Sequence, residues 1–195
     1  MDAPRRIKVK YFVQEPAAVD LPAFTPIFHR WIQEEQVEGL PLDVADYAHV
    51  VDGPGILLIG HEADYSIDMA GGRPGLVYDH KREWASDSLP DRLRTVFGRA
   101  LKGCQLVESE EALGGRLRFS PGEAELSFVD RLRTPNQPGV YDGLVAEVHS
   151  VLDELYGPNG YTLARTNEDE RRLLTIHIRA NASPPLVDLA KRLSY

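Results

Sequence analysis

Residues 64–78 read Asp-Tyr-Ser-Ile-Asp-Met-Ala-Gly-Gly-Arg-Pro-Gly-Leu-Val-Tyr. Tyr65, Ile67 and Met69 alternate with Asp64, Ser66 and Asp68, so an extended segment here has one apolar and one polar face. Gly71-Gly72-Arg73-Pro74-Gly75 makes a turn, and Leu76, Val77 and Tyr78 return as a second strand. A connection this short joins strands that run in opposite directions. Antiparallel strands with period-two alternation leave one face wet, and amphipathic helices must cover the other.

The flanking sequence repeats this logic. Ile7, Val9, Tyr11 and Val13 alternate with Lys8 and Lys10, the mark of a half-buried strand. Phe24, Ile27, Phe28, Trp31 and Ile32 form a helical stripe, with Asp20 or Thr25-Pro26 as its start. Residues 39–55 admit either a short edge strand over 40–44 or a helix over 43–51, before Gly53-Pro54-Gly55 turns the chain. Ile56–Ile59 reads as a buried strand. Ser88-Leu89-Pro90-Asp91 resembles a capping box opening a helix with the stripe Leu89, Leu93, Val96, Phe97, Ala100, Leu101 and Cys104.

A hairpin is expected over 117–128, with its turn at Ser120-Pro121-Gly122-Glu123. A third helix carries Val140, Leu144, Val148, Val151, Leu152 and Leu155. Tyr161–Arg165 pairs with 173–179, and Ser183 caps a last short helix presenting Leu186, Leu189 and Leu193. From residue 64 onward the order hairpin–helix thus occurs three times, and Leu93, Phe97, Leu101 and Cys104 align with Leu144, Val148, Leu152 and Leu155. The expected class is α+β: mostly antiparallel twisted sheet, with four main helices packed on one face and β-hairpin–helix units repeated. Residues 1–195 read as a single compact domain, with a subdivision near 107–114 as the alternative.

Composition narrows the function. The chain has 195 residues, 43% hydrophobic and 27% charged, enough to bury a core without staples. Cys104 is the lone cysteine, so no intrachain disulfide or cysteine zinc site exists, and on its apolar stripe it reads as a core residue. No apolar run approaches the ~20 residues of a membrane span, and no export signal follows Arg5-Arg6. These features place the protein in the cytoplasm with no membrane partner. Acidic residues outnumber basic ones, 30 to 22, for a net charge of −8; nucleic acid, which requires a basic surface, is not an expected partner.

Potential ligands are densest between 43 and 80. Asp43, Asp46, His49, His61, Glu62 and Asp64 are the candidates for a divalent metal or for acid–base chemistry, if their segments converge. Solvated strand faces and capped turns explain the same residues without a site. His61-Glu62-Ala63-Asp64-Tyr65 begins like the zinc motif HExxH but ends in Tyr. Gly71–Gly75 offers amides and Arg73 to an anion, although a hairpin turn accounts for it. The uncovered sheet face carries a second candidate surface: Arg116, Arg118, His177, Arg179 and Asp68, beside Lys8, Lys10, Thr175 and Asp64.

The phrases His29-Arg30-Trp31-Ile32-Gln33, Asp43-Val44-Ala45-Asp46-Tyr47, Gly53–Asp68 and Gly72–Tyr78 resemble an uncharacterised family of bacterial proteins of about this size. The resemblance covers most of the first half of the chain and implies no activity, cofactor or catalytic residue. The residues therefore carry three readings. The first is a non-enzymatic accessory or binding protein that needs no cofactor and is held by a protein partner or by self-association, as a homodimer through the open sheet face. The second is a metal-dependent hydrolase built from the 43–68 segment. The third is a small-ligand sensor with a pocket near Trp31 and Tyr47.

Overall fold

The computed structural model describes residues 3–193. Among these, eight strands are β1 (Ile7–Val13), β2 (Pro41–Tyr47), β3 (Gly55–Gly60), β4 (Ala63–Asp68), β5 (Gly75–His80), β6 (Phe119–Phe128), β7 (Tyr161–Arg165) and β8 (Leu174–Ala180). Four helices are α1 (Phe24–Gln33), α2 (Leu89–Ser109), α3 (Pro138–Tyr156) and α4 (Leu186–Arg192). The strands form one sheet in the order β2-β3-β4-β5-β1-β6-β8-β7. Every neighbouring pair is antiparallel. The class is α+β, with the helices packed against the sheet.

Register decides which side chains meet the helices. Ile7, Val9 and Tyr11 of β1 stand opposite His80, Tyr78 and Leu76 of β5 and opposite Phe128, Leu126 and Ala124 of β6. On β8, Ile176 and Ile178 extend the same apolar layer. Helix α2 lies over β1 and β5, and α1 over β2 and β3, while α4 rests on α2 and α3. The helical stripes deliver Phe28, Trp31, Leu93, Phe97, Val148 and Leu152 to this layer, all fully buried. Cys104 is buried with them, and burial raises its thiol far above the ordinary value, so no thiolate forms near neutral pH. Charge-assisted hydrogen bonds tie the helices together. The Trp31 indole N–H donates to Glu110 at 2.7 Å, and Glu110 also accepts from Arg30. Arg94 clamps α2 to α3 by donating to both carboxylate oxygens of Glu154, at 2.9 and 2.6 Å.

Four local expectations are corrected. Residues 117–128 make no hairpin: β6 is one strand, and the middle hairpin–helix unit is absent. Tyr11 pairs with Ala124 and Val13 with Phe119, so Ser120–Glu123 bulge outward opposite Phe12 instead of reversing the chain. Pro121 is harmless there because the bulge demands no ladder N–H from it, and its carbonyl accepts from the Tyr156 hydroxyl at 2.9 Å. Residues 43–51 are not helical; β2 is the edge strand, and backbone turns follow it. Neither Ser88 nor Ser183 caps a helix through its side chain. Ser86 Oγ instead donates to Asp91 and accepts the Ser88 N–H.

The β2 edge is guarded. Pro41 opens it, the Asp43 carboxylate accepts the Val44 N–H at 2.8 Å, and Asp46 accepts the Ala48 N–H at 2.8 Å. It nevertheless exposes Leu42 and Tyr47, beside exposed Leu40, Val50 and Val51. Among the described residues no helix is long and apolar enough to cross a membrane.

Leu126 sits fully buried between Val9 and Ile176. Leu126→Ala should therefore cost about 2–5 kcal/mol, read as a lower urea midpoint. A loss below about 1 kcal/mol would contradict this packing.

Candidate functional site

The sheet face turned away from the helices is a set of cross-strand rows. One row runs Asp64, Asp79, Lys8, Ser127, Thr175 across β4, β5, β1, β6 and β8. The next runs Ser66, Val77, Lys10, Glu125, His177. A third begins Asp68, Gly75, Phe12, with Glu123 and Arg179 beyond the bulge. Strand alternation creates this face: the even-numbered residues of β1 point away from the core because its odd-numbered residues point into it.

Among the described residues no α-helix lines these rows, yet Lys10 is only 7% exposed and Phe12 only 4%. Two connections rise beside them and enclose a hollow of about 380 Å³. One wall is the β4–β5 connection, contributing Ala70, Gly71 and Arg73. It is tied down where Asp68 accepts the Ala70 N–H at 2.7 Å and Asp52 accepts the Gly71 N–H at 3.1 Å. Gly71 and Gly72 both have φ of 66°, a left-handed conformation that glycine adopts without strain. The other wall is the β7–β8 connection, contributing Thr166 and Leu173. Fully buried Asn136 pins it by donating through Nδ2 to Asn167 and to the Asp169 carbonyl, at 2.9–3.2 Å.

Most charges on the floor are spoken for. Lys10 Nζ donates to Asp68 at 3.1 Å. Arg73 stacks 3.9 Å from the Phe12 ring centroid and pairs with Glu123 Oε1 at 2.9 Å. The same oxygen meets His177 Nε2 at 2.8 Å and Arg179 at 3.5 Å. Arg6 pairs with Asp79 and Lys81 with Asp64, each at 2.7 Å. The Ser127 and Thr175 hydroxyls bond to each other at 2.9 Å. Among the described residues, Lys8 and Glu125 are the charges lining the hollow that bond to no other side chain. Both are half-buried.

The sequence candidates divide sharply. Asp68, His177 and Arg179 meet on the open face, linked through Lys10, Phe12, Arg73 and Glu123. Arg116 and Arg118 lie before β6 and off this face: Arg116 is exposed, and Arg118 donates to the Glu108 carbonyl at 3.2 Å. The metal candidates do not converge. Asp43 and Asp46 bond backbone N–H groups of their own edge, and His49 stacks beside Tyr47. Glu62 accepts the Leu40 N–H at 3.0 Å, with exposed His61 beside it at 3.4 Å. Asp64 accepts from Lys81 and from the Gly60 N–H. Among the described residues no three His, Cys, Asp or Glu side chains come together in a group that could hold a metal ion. Trp31 is fully buried and Tyr47 is exposed on the edge strand, so the two share no pocket wall.

Sequence pattern alone does not mark Glu123, Glu125 or Asn136 as site residues, and Arg73, which the sequence offers to an anion, is held by Glu123 instead. Glu125 is legible as the wet-face neighbour of Leu126, whereas Glu123 reads as a turn residue. A larger hollow, about 540 Å³, lies on the outer side of α2. There Arg99 and Lys102 both pair with Glu38, and Arg94 pairs with Asp91 and Glu154, so each of its cations already has an acidic partner. Comparison of the chain with protein-family models, with curated proteins and with solved structures yields no match.

Burial raises the Glu123 carboxyl, but hydrogen bonds and charge from Arg73 and His177 together outweigh it and hold the group below its ordinary value of 4.5. A depressed folded-state value contributes stability above the ordinary carboxyl range, lost as pH falls through the folded value. Glu123→Gln should cost about 1–2 kcal/mol at neutral pH. Urea midpoints of the two proteins should converge below pH 4.5, where wild-type Glu123 takes up its proton. A constant gap across that range would show that the carboxylate charge is not what holds Arg73, His177 and Arg179.

Proposed function

We propose that this chain is a non-enzymatic binding protein that holds a small anionic organic molecule in the hollow of its open sheet face. The observation that carries this reading is Lys8. Lys8 is a half-buried residue that lines the walled hollow and has no acidic partner, although Asp79 stands opposite it in the register and is engaged by Arg6. A partly desolvated cation without a counter-charge is costly, and a bound anion offsets that cost. Next in the same row, the Ser127 and Thr175 hydroxyls share one hydrogen bond, which uses one hydroxyl proton and leaves the other to donate to a carboxylate or phosphate. A charge-assisted bond of this kind contributes about 1.5–3 kcal/mol. The volume suits a small molecule rather than a polymer. The non-enzymatic reading rests on commitment of the reactive groups: His177 is held by Glu123, and the two hydroxyls by each other.

Thermal denaturation in the presence of small carboxylates and phosphate monoesters tests this. At least one compound should raise the melting temperature of the wild type, and Lys8→Gln should abolish that rise. A panel in which no anion shifts the wild type overturns the reading.

A second reading, self-association with another copy, is favoured by a different surface. Leu42 and Tyr47 are exposed on an edge strand that has one neighbour in the sheet of described residues, with exposed Leu40, Val50 and Val51 just before and after it. Edge pairing between two copies would bury them and continue the ladder. Light scattering after size exclusion should then give twice the chain mass, falling to one chain mass for Leu42→Glu. A monomeric wild type at high micromolar concentration removes this reading.

A further inference from the structure

Resting on the anion-binding reading, we propose that the ligand is a small zwitterion of the amino-acid type, its carboxylate held at Lys8 and its ammonium at Glu125. The inference starts from a mismatch. Glu125 stands directly opposite Lys10 in the β1–β6 register, the placement in which oppositely charged side chains normally pair. Lys10 turns the other way and donates to Asp68. Its neighbour on β8, His177, also stands directly opposite Glu125 and bonds to Glu123 instead. Both flanking side chains are thus drawn to other acids, and Glu125 faces the hollow unneutralised, as Lys8 does.

Lys8 and Glu125 are diagonal neighbours on adjacent strands, because Lys8 pairs with Ser127, two residues beyond Glu125. Diagonal positions lie roughly 7–8 Å apart at the backbone. A ligand whose negative and positive groups share one carbon fits between two such side chains and satisfies both. A simple anion would satisfy Lys8 and add repulsion against Glu125. Val77 and Leu173 line the hollow as its apolar part and have room for a short aliphatic group. The preferred probe is therefore L-leucine or L-valine rather than a dicarboxylate.

Isothermal titration of the full chain with L-leucine, 4-methylpentanoate and leucinamide separates the possibilities. The two analogues lack the ammonium and the carboxylate in turn. L-leucine should bind, and each analogue should bind at least roughly tenfold more weakly. Glu125→Gln should erase the advantage of leucine over 4-methylpentanoate, and Lys8→Gln its advantage over leucinamide. Two results overturn the zwitterion yet leave the anion reading standing. In one, 4-methylpentanoate or another simple anion binds the wild type as tightly as leucine and Glu125→Gln leaves binding unchanged. In the other, leucine fails while another small acid binds through Lys8. If neither leucine nor any small acid binds, and Lys8→Gln and Glu125→Gln alter only the urea midpoint, the two side chains serve each other and both readings fall.

Discussion

Everything in this molecule depends on β1 being hydrogen-bonded along both flanks. Its partners are β5 on one side and β6 on the other, so the strands before residue 81 and those after residue 118 share one sheet only through Ile7–Val13. Alternation along this strand does two jobs. Ile7, Val9 and Tyr11, all fully buried, anchor the layer under the helices. Lys8, Lys10 and Phe12 are thereby forced to the centre of the other face. The core and the hollow are two consequences of one period-two pattern.

The open face explains how charge is kept in a half-dry place. Each acid and base with a partner within reach takes it, and Glu123 gathers Arg73, His177 and Arg179 onto one carboxylate oxygen. Arg73 also caps the Phe12 ring, so an aromatic side chain on an uncovered face is shielded from water by a guanidinium. Against this background of pairing, Lys8 and Glu125 stand out through their local competitors. Arg6 has taken Asp79, and Asp68 has taken Lys10. Their lack of partners is set by the geometry of their neighbours and not by chance exposure.

Local pattern made most of the fold legible. The four helical stripes, the β4–β5 hairpin, the β7–β8 hairpin and the wet face with Lys8, Lys10, Asp64, Asp68, Thr175 and His177 all follow from periodicity, which depends only on near neighbours. What escaped was decided at long range. Pro121-Gly122 reads as a turn in isolation, and becomes a bulge because β1 and β8 continue to hold β6 on either side. Residues 43–51 have apolar spacing compatible with helix or strand, and pairing with β3 decides for the strand. The hollow itself combines residues from β1, β4, β5, β6 and β8 with two connections, and no linear pattern marks such a convergence. The density of Asp and His between 43 and 80 points the opposite way: closeness in sequence spreads them over an edge strand, its turns and two interior strands, where Asp43 and Asp46 bond backbone N–H groups while Asp64, Asp68 and Asp79 pair with Lys81, Lys10 and Arg6.

The position of β1 also shapes how the chain reaches this state. Val13 and Phe119 pair although they lie more than a hundred positions apart. In a chain made from its N-terminus, one flank of the central strand waits unzipped until β6 emerges, and α2 is complete before that happens. Such non-local pairing gives a high contact order and slow assembly, with an apolar ribbon open to wrong partners in the interval. The lysines at 8 and 10 sit on that waiting ribbon, where like charge discourages two nascent chains from joining edge to edge.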